Sequence, residues 1–137
     1  MKLSYVFAEP STDSHTQEFG KEFRPRFDSQ GLIPCVAVDT HSKNVLMLAY
    51  MNSDAVCKTL ETGEAWYWSR SRKELWHKGA TSGQIQKVMS LKVDCDQDAL
   101  VLEVHVQGDG SCCHTGQKSC FYRTVSKLSG DNKLTLE

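Results

Sequence analysis

The chain has 137 residues, of which 39% are hydrophobic and 24% charged, and its formal net charge is −1. That length suits one domain with a real core, and that composition excludes a disordered chain. Near-neutral charge removes any overall pull towards nucleic acid or anionic membrane, so charge-based recognition has to be local.

The opening MKLSYVFAEP holds a short apolar run that Ser4 interrupts and Glu9-Pro10 ends, short of signal-peptide length. No stretch approaches the roughly 20 apolar residues of a membrane-spanning helix. The expected setting is therefore cytoplasmic, with no membrane partner. Residues 1–30 are polar and mixed, with Pro10 and Pro25, and read as loosely structured; residues 1–25 are assigned as a peripheral arm of a single domain spanning 1–137.

Apolar runs at 33–38 and 45–50 flank DTHSKN, the pattern of a hairpin with a longer loop. Asn52 or Ser53 can cap a short helix that reaches Thr62 and ends at Gly63, with Val56 and Leu60 facing inward. Residues 65–69 suggest another strand. Met89, Leu91, Val93 and Cys95 alternate with Ser90, Lys92, Asp94 and Asp96, the two-residue period of a half-buried strand. Were that geometry to continue, Asp94, Asp96 and Asp98 would project to one face and Cys95 to the other. Leu100, Leu102, Val104 and Val106 repeat the alternation in a second strand. The expected fold is a small, strand-rich α+β domain, a twisted sheet or pseudobarrel with one or two short helices.

Two clusters carry chemistry. VDCDQDAL, residues 93–100, places three carboxylates around one thiol, and like charges that close repel unless a cation belongs among them. Oxygen-only ligands suit magnesium, calcium or manganese. An EF-hand is excluded, because Ala99 and His105 stand where its loop needs Gly and Glu. The alternative is a solvated acidic turn.

Six cysteines in a reducing compartment favour metal ligation or core packing over disulfides. Cys35 and Cys57 sit in apolar or amphipathic runs and read as core residues. Cys113 and Cys120 are seven apart, with Gly116 between them to return the chain. Together with Cys95 they can offer zinc three thiolates and an open fourth position, the catalytic pattern; Cys112 is the rival fourth ligand of a closed, structural site. A strand between Cys95 and Cys113 would carry the chain roughly 30 Å at about 3.3 Å per residue, which favours a zinc site shared across a homodimer.

Between Arg70 and Lys92 lie six basic residues (Arg70, Arg72, Lys73, Lys78, Lys87 and Lys92) and one acid, Glu74. Such guanidinium and ammonium groups suit phosphate oxygens. Thr81 and Ser82, in the loop between Gly79 and Gly83, can present hydroxyls and backbone N–H groups to an anion. Trp66, Trp68 and Trp76 offer flat faces for a purine, although each tryptophan taken singly suits a core as well. The segment points to a small phosphorylated, base-containing molecule; confinement of positive charge to one segment argues against a nucleic acid.

WYWSRSR at 66–72, LWHKGATSG at 75–83, VDCDQDAL at 93–100 and CHTGQKSCFYR at 113–123 resemble phosphoribosyl-AMP cyclohydrolase of histidine biosynthesis. GLIPCVAVD and VLMLAYMN look like that family's opening strands, so the resemblance covers about residues 30–123. It implies zinc on Cys95, Cys113 and Cys120, and magnesium on Asp94, Asp96 and Asp98. It implies an intertwined homodimer in which one chain supplies Cys95 and its partner the other two thiols. The reaction implied is attack of zinc-activated water on C6 of an adenine ring alkylated at N1, with hydrolysis of the N1–C6 bond to a formimino-carboxamide ribotide. His114 is the first choice for proton transfer, with His105 and His77 as alternatives. Trp68, Arg70, Arg72, Lys73, Trp76, Lys78, Thr81 and Ser82 are the candidate substrate contacts. The family commonly has Glu where this chain has Ala80, so a ligand contact there falls to the loop backbone. Some members carry a fused pyrophosphohydrolase domain, for which 137 residues are expected to leave no room.

Overall fold

The computed structural model describes residues 7–125 and 133–136; the first part of the opening apolar run lies outside them. In chain order these residues form α1 (Ser14–Phe19), β1 (Ile33–Asp39), β2 (Val45–Met51), α2 (Ser53–Thr62) and β3 (Trp66–Ser69). They continue with β4 (Glu74–His77), β5 (Gln86–Val93), β6 (Leu100–Val106), β7 (Arg123–Val125) and β8 (Leu134–Leu136). The central sheet runs β2-β1-β6-β5, and β3-β4 and β7-β8 form separate two-stranded sheets. This is the strand-rich α+β domain read from the sequence. Its described strands do not close into a barrel. No helix among the described residues is long and apolar enough to cross a membrane.

β1 and β2 pair as the expected antiparallel hairpin, with Ile33 opposite Met51 and Val38 opposite Val45. β6 lies parallel to β1 on one edge and antiparallel to β5 on the other. Leu100, Leu102, Val104 and Val106 of β6 are buried, as the alternation required, and they pack with Ile33, Cys35 and Ala37 of β1. Burying an aliphatic side chain of that size contributes about 1.5–3 kcal/mol, so β6 anchors the core. Burial pushes the Cys35 thiol up to about 12; it is a core residue.

α2 closes the same core. The Asn52 side chain accepts from Ala55 N–H at 2.8 Å, and Ala55, Val56 and Cys57 are buried. Leu60 packs half-buried beside them. Gly63, at φ 72°, ends the helix and donates its N–H to the Thr59 carbonyl.

β5 departs from the alternation. It begins at Gln86 and ends at Val93, with a register shift between Val88 and Ser90 that leaves Met89 63% exposed. Such an irregularity turns side chains to the other face, so Met89 faces away from the core and Cys95 lies outside the strand. Asp94, Asp96 and Asp98 accordingly occupy the connection to β6 and not one face of an extended strand. The physical reason is local. Asp94 Oδ1 accepts the N–H groups of Asp98 at 3.0 Å and Ala99 at 3.1 Å, drawing the backbone out of the ladder, as short acidic side chains do.

The stretch read as loosely structured contains α1, capped by Asp13, and it buries Gln17.

On the outer face of the sheet, Glu103 of β6 meets Lys43, Lys92 and Ser90. These partners, Lys43 foremost, pull its carboxyl down to about 2. A depressed carboxylate stabilises the fold above its unfolded-state value and loses that contribution as pH falls through the folded value. The stability gap between wild type and Glu103→Gln in urea denaturation is therefore expected at neutral pH and to shrink between pH 4.5 and about 2. Glycines test the loops in the same assay. An added Cβ at Gly63 meets nothing, so Gly63→Ala bears only the roughly 1–2 kcal/mol of a left-handed L-residue. At Gly79 (φ 85°) a Cβ would sit 2.2 Å from the Gln84 backbone, and Gly79→Ala is expected to cost roughly 3 kcal/mol or more.

Candidate active site

The acidic turn is the tighter of the two clusters. One ligand atom from each of Asp94, Asp96 and Asp98 lies within 4.8 Å of the others. Hydrogen bonding to Asp96 and then Asp94 raises the Asp98 carboxyl to about 6, because three carboxylates this close cannot all ionise freely. That donor set, hard and preassembled, fits a divalent cation such as Mg²⁺. Gln97, at the centre of the turn, is buried and adopts φ 63°, a conformation that costs a non-glycine residue roughly 1–2 kcal/mol. Cys95 is exposed beside it. Asp94 and Cys95 border a cavity of about 510 Å³ that is also lined by Lys21, Glu22 and Phe23 of the arm.

The thiol cluster forms past the far end of β6. Gly116 at φ 90° turns the chain, with Cys113 N–H donating to the Gln117 carbonyl and Cys112 N–H to that of Lys118. Cys120 N–H donates to the Leu46 carbonyl at 2.7 Å and Ser119 Oγ to that of Val45 at 2.7 Å. These bonds tie the segment to β2 and bring Cys120 against Cys112 and Cys113. Thr115 Oγ1 donates to Cys113 Sγ at 3.0 Å and lowers that thiol, which favours the thiolate a metal needs. Partial burial, then Cys112 and Cys113, push Cys120 up to about 12; thiol sulfurs are a donor type that zinc takes.

Cys112 is placed differently. It is 2% exposed and accepts from Gln86 Nε2 at 3.3 Å. Gln86 in turn accepts from Tyr67 Oη at 2.6 Å. Burial raises the Cys112 thiol. Its carbonyl receives Lys78 Nζ at 2.6 Å. A polar side chain at a buried position of β5 was the one available signal for this network, and the sequence reading passed over Gln86.

A second cavity, of about 410 Å³, opens beside the thiols. Arg72, Trp76, Lys78, Thr81 and Ser82 line it together with Cys113 and His114. Trp68, Arg70 and Lys73 are not among its lining residues. Arg70 lies over the Tyr50 ring at 4.0 Å, and Lys73, at φ 53°, belongs to the β3–β4 connection. Trp76 has Lys78 Nζ 5.0 Å from its ring centroid. Trp66 stacks on His77 at 4.3 Å, and Glu64 joins His77 to Lys87. His105 lies apart from this cavity's lining, in β6, edge-on to His41.

Among the described residues no group of three ligand side chains unites Cys95 with Cys113 and Cys120. Cys95 precedes Leu100 at one end of β6, whereas Cys112 is bonded to Gln86, the residue paired with Val106 at the other. Six strand steps separate those ends, about 20 Å.

A family model for phosphoribosyl-AMP cyclohydrolase matches residues 47–122, which include both clusters and the lining of the cavity beside the thiols. The phosphoribosyl-AMP cyclohydrolase of Chelativorans sp. (strain BNC1) is 54% identical over 129 residues, 94% of this chain and 93% of that protein. Those of Brucella canis (54% over 134 residues, 98% and 96%) and Brucella anthropi (53% over 135 residues, 98% and 95%) are likewise similar to this chain. The chain belongs to the phosphoribosyl-AMP cyclohydrolase family. The geometry places an acidic cluster with Cys95 at one end of β6 and a basic cluster with Cys113 and Cys120 at the other.

Proposed function

We propose that this chain is a hydrolase of histidine biosynthesis that opens the adenine ring of phosphoribosyl-AMP, working in the cytoplasm as a homodimer with zinc and magnesium. The observation that carries the details is the division of the ligand set between the two ends of β6. A second copy, set head to tail, would bring Cys113 and Cys120 of one chain to Cys95 of the other. Cys95, Cys113 and Cys120 would hold zinc, and Asp94, Asp96 and Asp98 magnesium. When bound, zinc would supply Lewis acidity that activates water near neutral pH, and magnesium would coordinate phosphate or ribose oxygens.

The chain's own residues divide the remaining work. Lys78, fixed by the Cys112 carbonyl at 2.6 Å, and Arg72 set positive charge along the second cavity for a substrate phosphate. Thr81 and Ser82 add hydroxyls on the same wall. The Trp76 ring borders the same cavity and offers a surface for the base. Alkylation at N1 makes the adenine cationic and C6 electron-poor, so water adds at C6. His114, exposed on the cavity beside Cys113, takes the proton released by that water and returns it as the N1–C6 bond breaks. C6 with its exocyclic nitrogen becomes the carboxamide, and N1 remains joined to C2 in the formimino group.

Burial of Cys112 and its bond from Gln86 support three zinc thiolates and not four. In a spectroscopic ring-opening assay with N1-phosphoribosylated AMP, Cys113→Ser is expected to lose zinc and all turnover. Cys112→Ser should keep its zinc, measured by elemental analysis, and most of its turnover; loss of zinc from that variant would favour a closed structural site. The shared site is tested by mixing inactive Cys95→Ser and Cys113→Ser chains. Each heterodimer contains one intact set of ligands, so activity is expected to return on subunit exchange. Confirmed exchange with no activity would overturn the shared site.

A further inference from the structure

The arm ahead of β1 and the acidic turn are held together by two buried side-chain amides. Gln17, in α1, is 2% exposed, and Gln97, in the turn, is 5% exposed. Gln17 Nε2 donates to the carbonyls of Asp96 at 3.1 Å and Arg24 at 3.1 Å, while its Oε1 accepts Ser11 N–H at 2.8 Å. Gln97 answers from the other side. Its Nε2 donates to the carbonyls of Gln17 at 2.8 Å and Glu22 at 3.5 Å, and its Oε1 accepts Arg24 N–H at 2.7 Å. The Gln97 carbonyl also accepts Arg26 N–H at 2.7 Å. Each amide nitrogen meets two carbonyls and each amide oxygen an N–H, so both amides have their full donor capacity used.

We infer that this pair is a latch by which the arm positions the acidic turn for its cation, making Gln17 and Gln97 positioning residues for divalent-metal binding. The inference rests on the assignment of Asp94, Asp96 and Asp98 as the magnesium ligands. Gln97 sits between Asp96 and Asp98 and is held at φ 63°, a backbone state a glutamine leaves unless its surroundings enforce it. Among the described residues, the bonds that hold its side chain from outside the turn come from the arm. Gln17 grips the Asp96 carbonyl directly, so the spacing of the three carboxylates is set from a segment more than 70 residues earlier in the chain. Groups that orient metal ligands from behind tune affinity by about 10–100-fold, and here the orientation is applied through the backbone of the turn. The latch also fixes the arm as part of the lining of the cavity beside Cys95.

The test uses the full chain with its zinc retained and Mn²⁺ as probe, binding being followed by electron paramagnetic resonance. Wild type is expected to bind Mn²⁺ and Asp96→Asn to lose it, which reports on the assignment before the latch is touched. Gln17→Ala and Gln97→Gly are each expected to weaken Mn²⁺ binding about tenfold or more, with zinc content unchanged. Gln97→Gly keeps the backbone free to hold its positive φ, so it tests the side chain without adding strain. The double variant should bind no more weakly than the weaker single one, because both remove the same device. Arg24→Ala, whose side chain bonds Glu9 and Glu22 within the arm, should bind Mn²⁺ as wild type does. Intact wild-type binding with Gln17→Ala or Gln97→Gly within twofold of it overturns the latch alone. No binding by wild type, or equal binding by Asp96→Asn, overturns the assignment and the latch together.

Discussion

β6 is hydrogen-bonded along both edges, to β1 in parallel and to β5 antiparallel. A strand so held can neither slip nor bend much, because a one-residue shift would turn Leu100, Leu102, Val104 and Val106 out of the core. Its length is therefore a rigid distance. Among the described residues, the two candidate ligand clusters lie at the two ends of that distance. The acidic turn with Cys95 precedes it, and the thiol segment with His114 follows it, met there by Lys78 from the β4–β5 connection.

The two ends are built by opposite means. At the acidic end an Asp side chain captures backbone N–H groups and a buried glutamine adopts a left-handed conformation, so the turn holds three mutually repelling carboxylates together. At the thiol end the chain returns through a glycine and is pinned to β2 by main-chain and serine bonds. Electrostatics follow the same division. Hydrogen bonding to Asp96 and Asp94 raises Asp98 at one end, while Thr115 lowers Cys113 at the other. The donor atoms differ accordingly, hard carboxylate oxygens at one end and soft thiol sulfurs at the other.

Buried amides recur as the means of holding these ends in place. Gln86 spans Tyr67 and Cys112 beneath the thiols, and the Gln17–Gln97 pair spans the arm and the acidic turn. In each case a glutamine is buried where an apolar residue would be the ordinary choice, and its hydrogen bonds couple segments distant in sequence. Buried polar groups that are fully satisfied specify one arrangement more sharply than apolar contact does.

The sequence by itself determined the β1–β2 hairpin, the capped helix α2, the inward face of β6 and the ligand-type residues, because each is written in local spacing: period-two alternation, an Asn–Gly pair of caps, and Asp and Cys at short intervals. Local spacing did not reveal that β5 stops at Val93 after an irregularity at Met89, that the three aspartates meet in a turn, or that the arm packs onto them. Nor did it separate Cys112 from Cys113, or Arg72 and Lys78 from Arg70 and Lys73. Those outcomes were decided by tertiary structure. A thiol or a guanidinium has the same chemistry in any one-dimensional reading, and only the packing around it, Gln86 against Cys112 or Tyr50 beneath Arg70, settles which way it faces and what remains for a ligand.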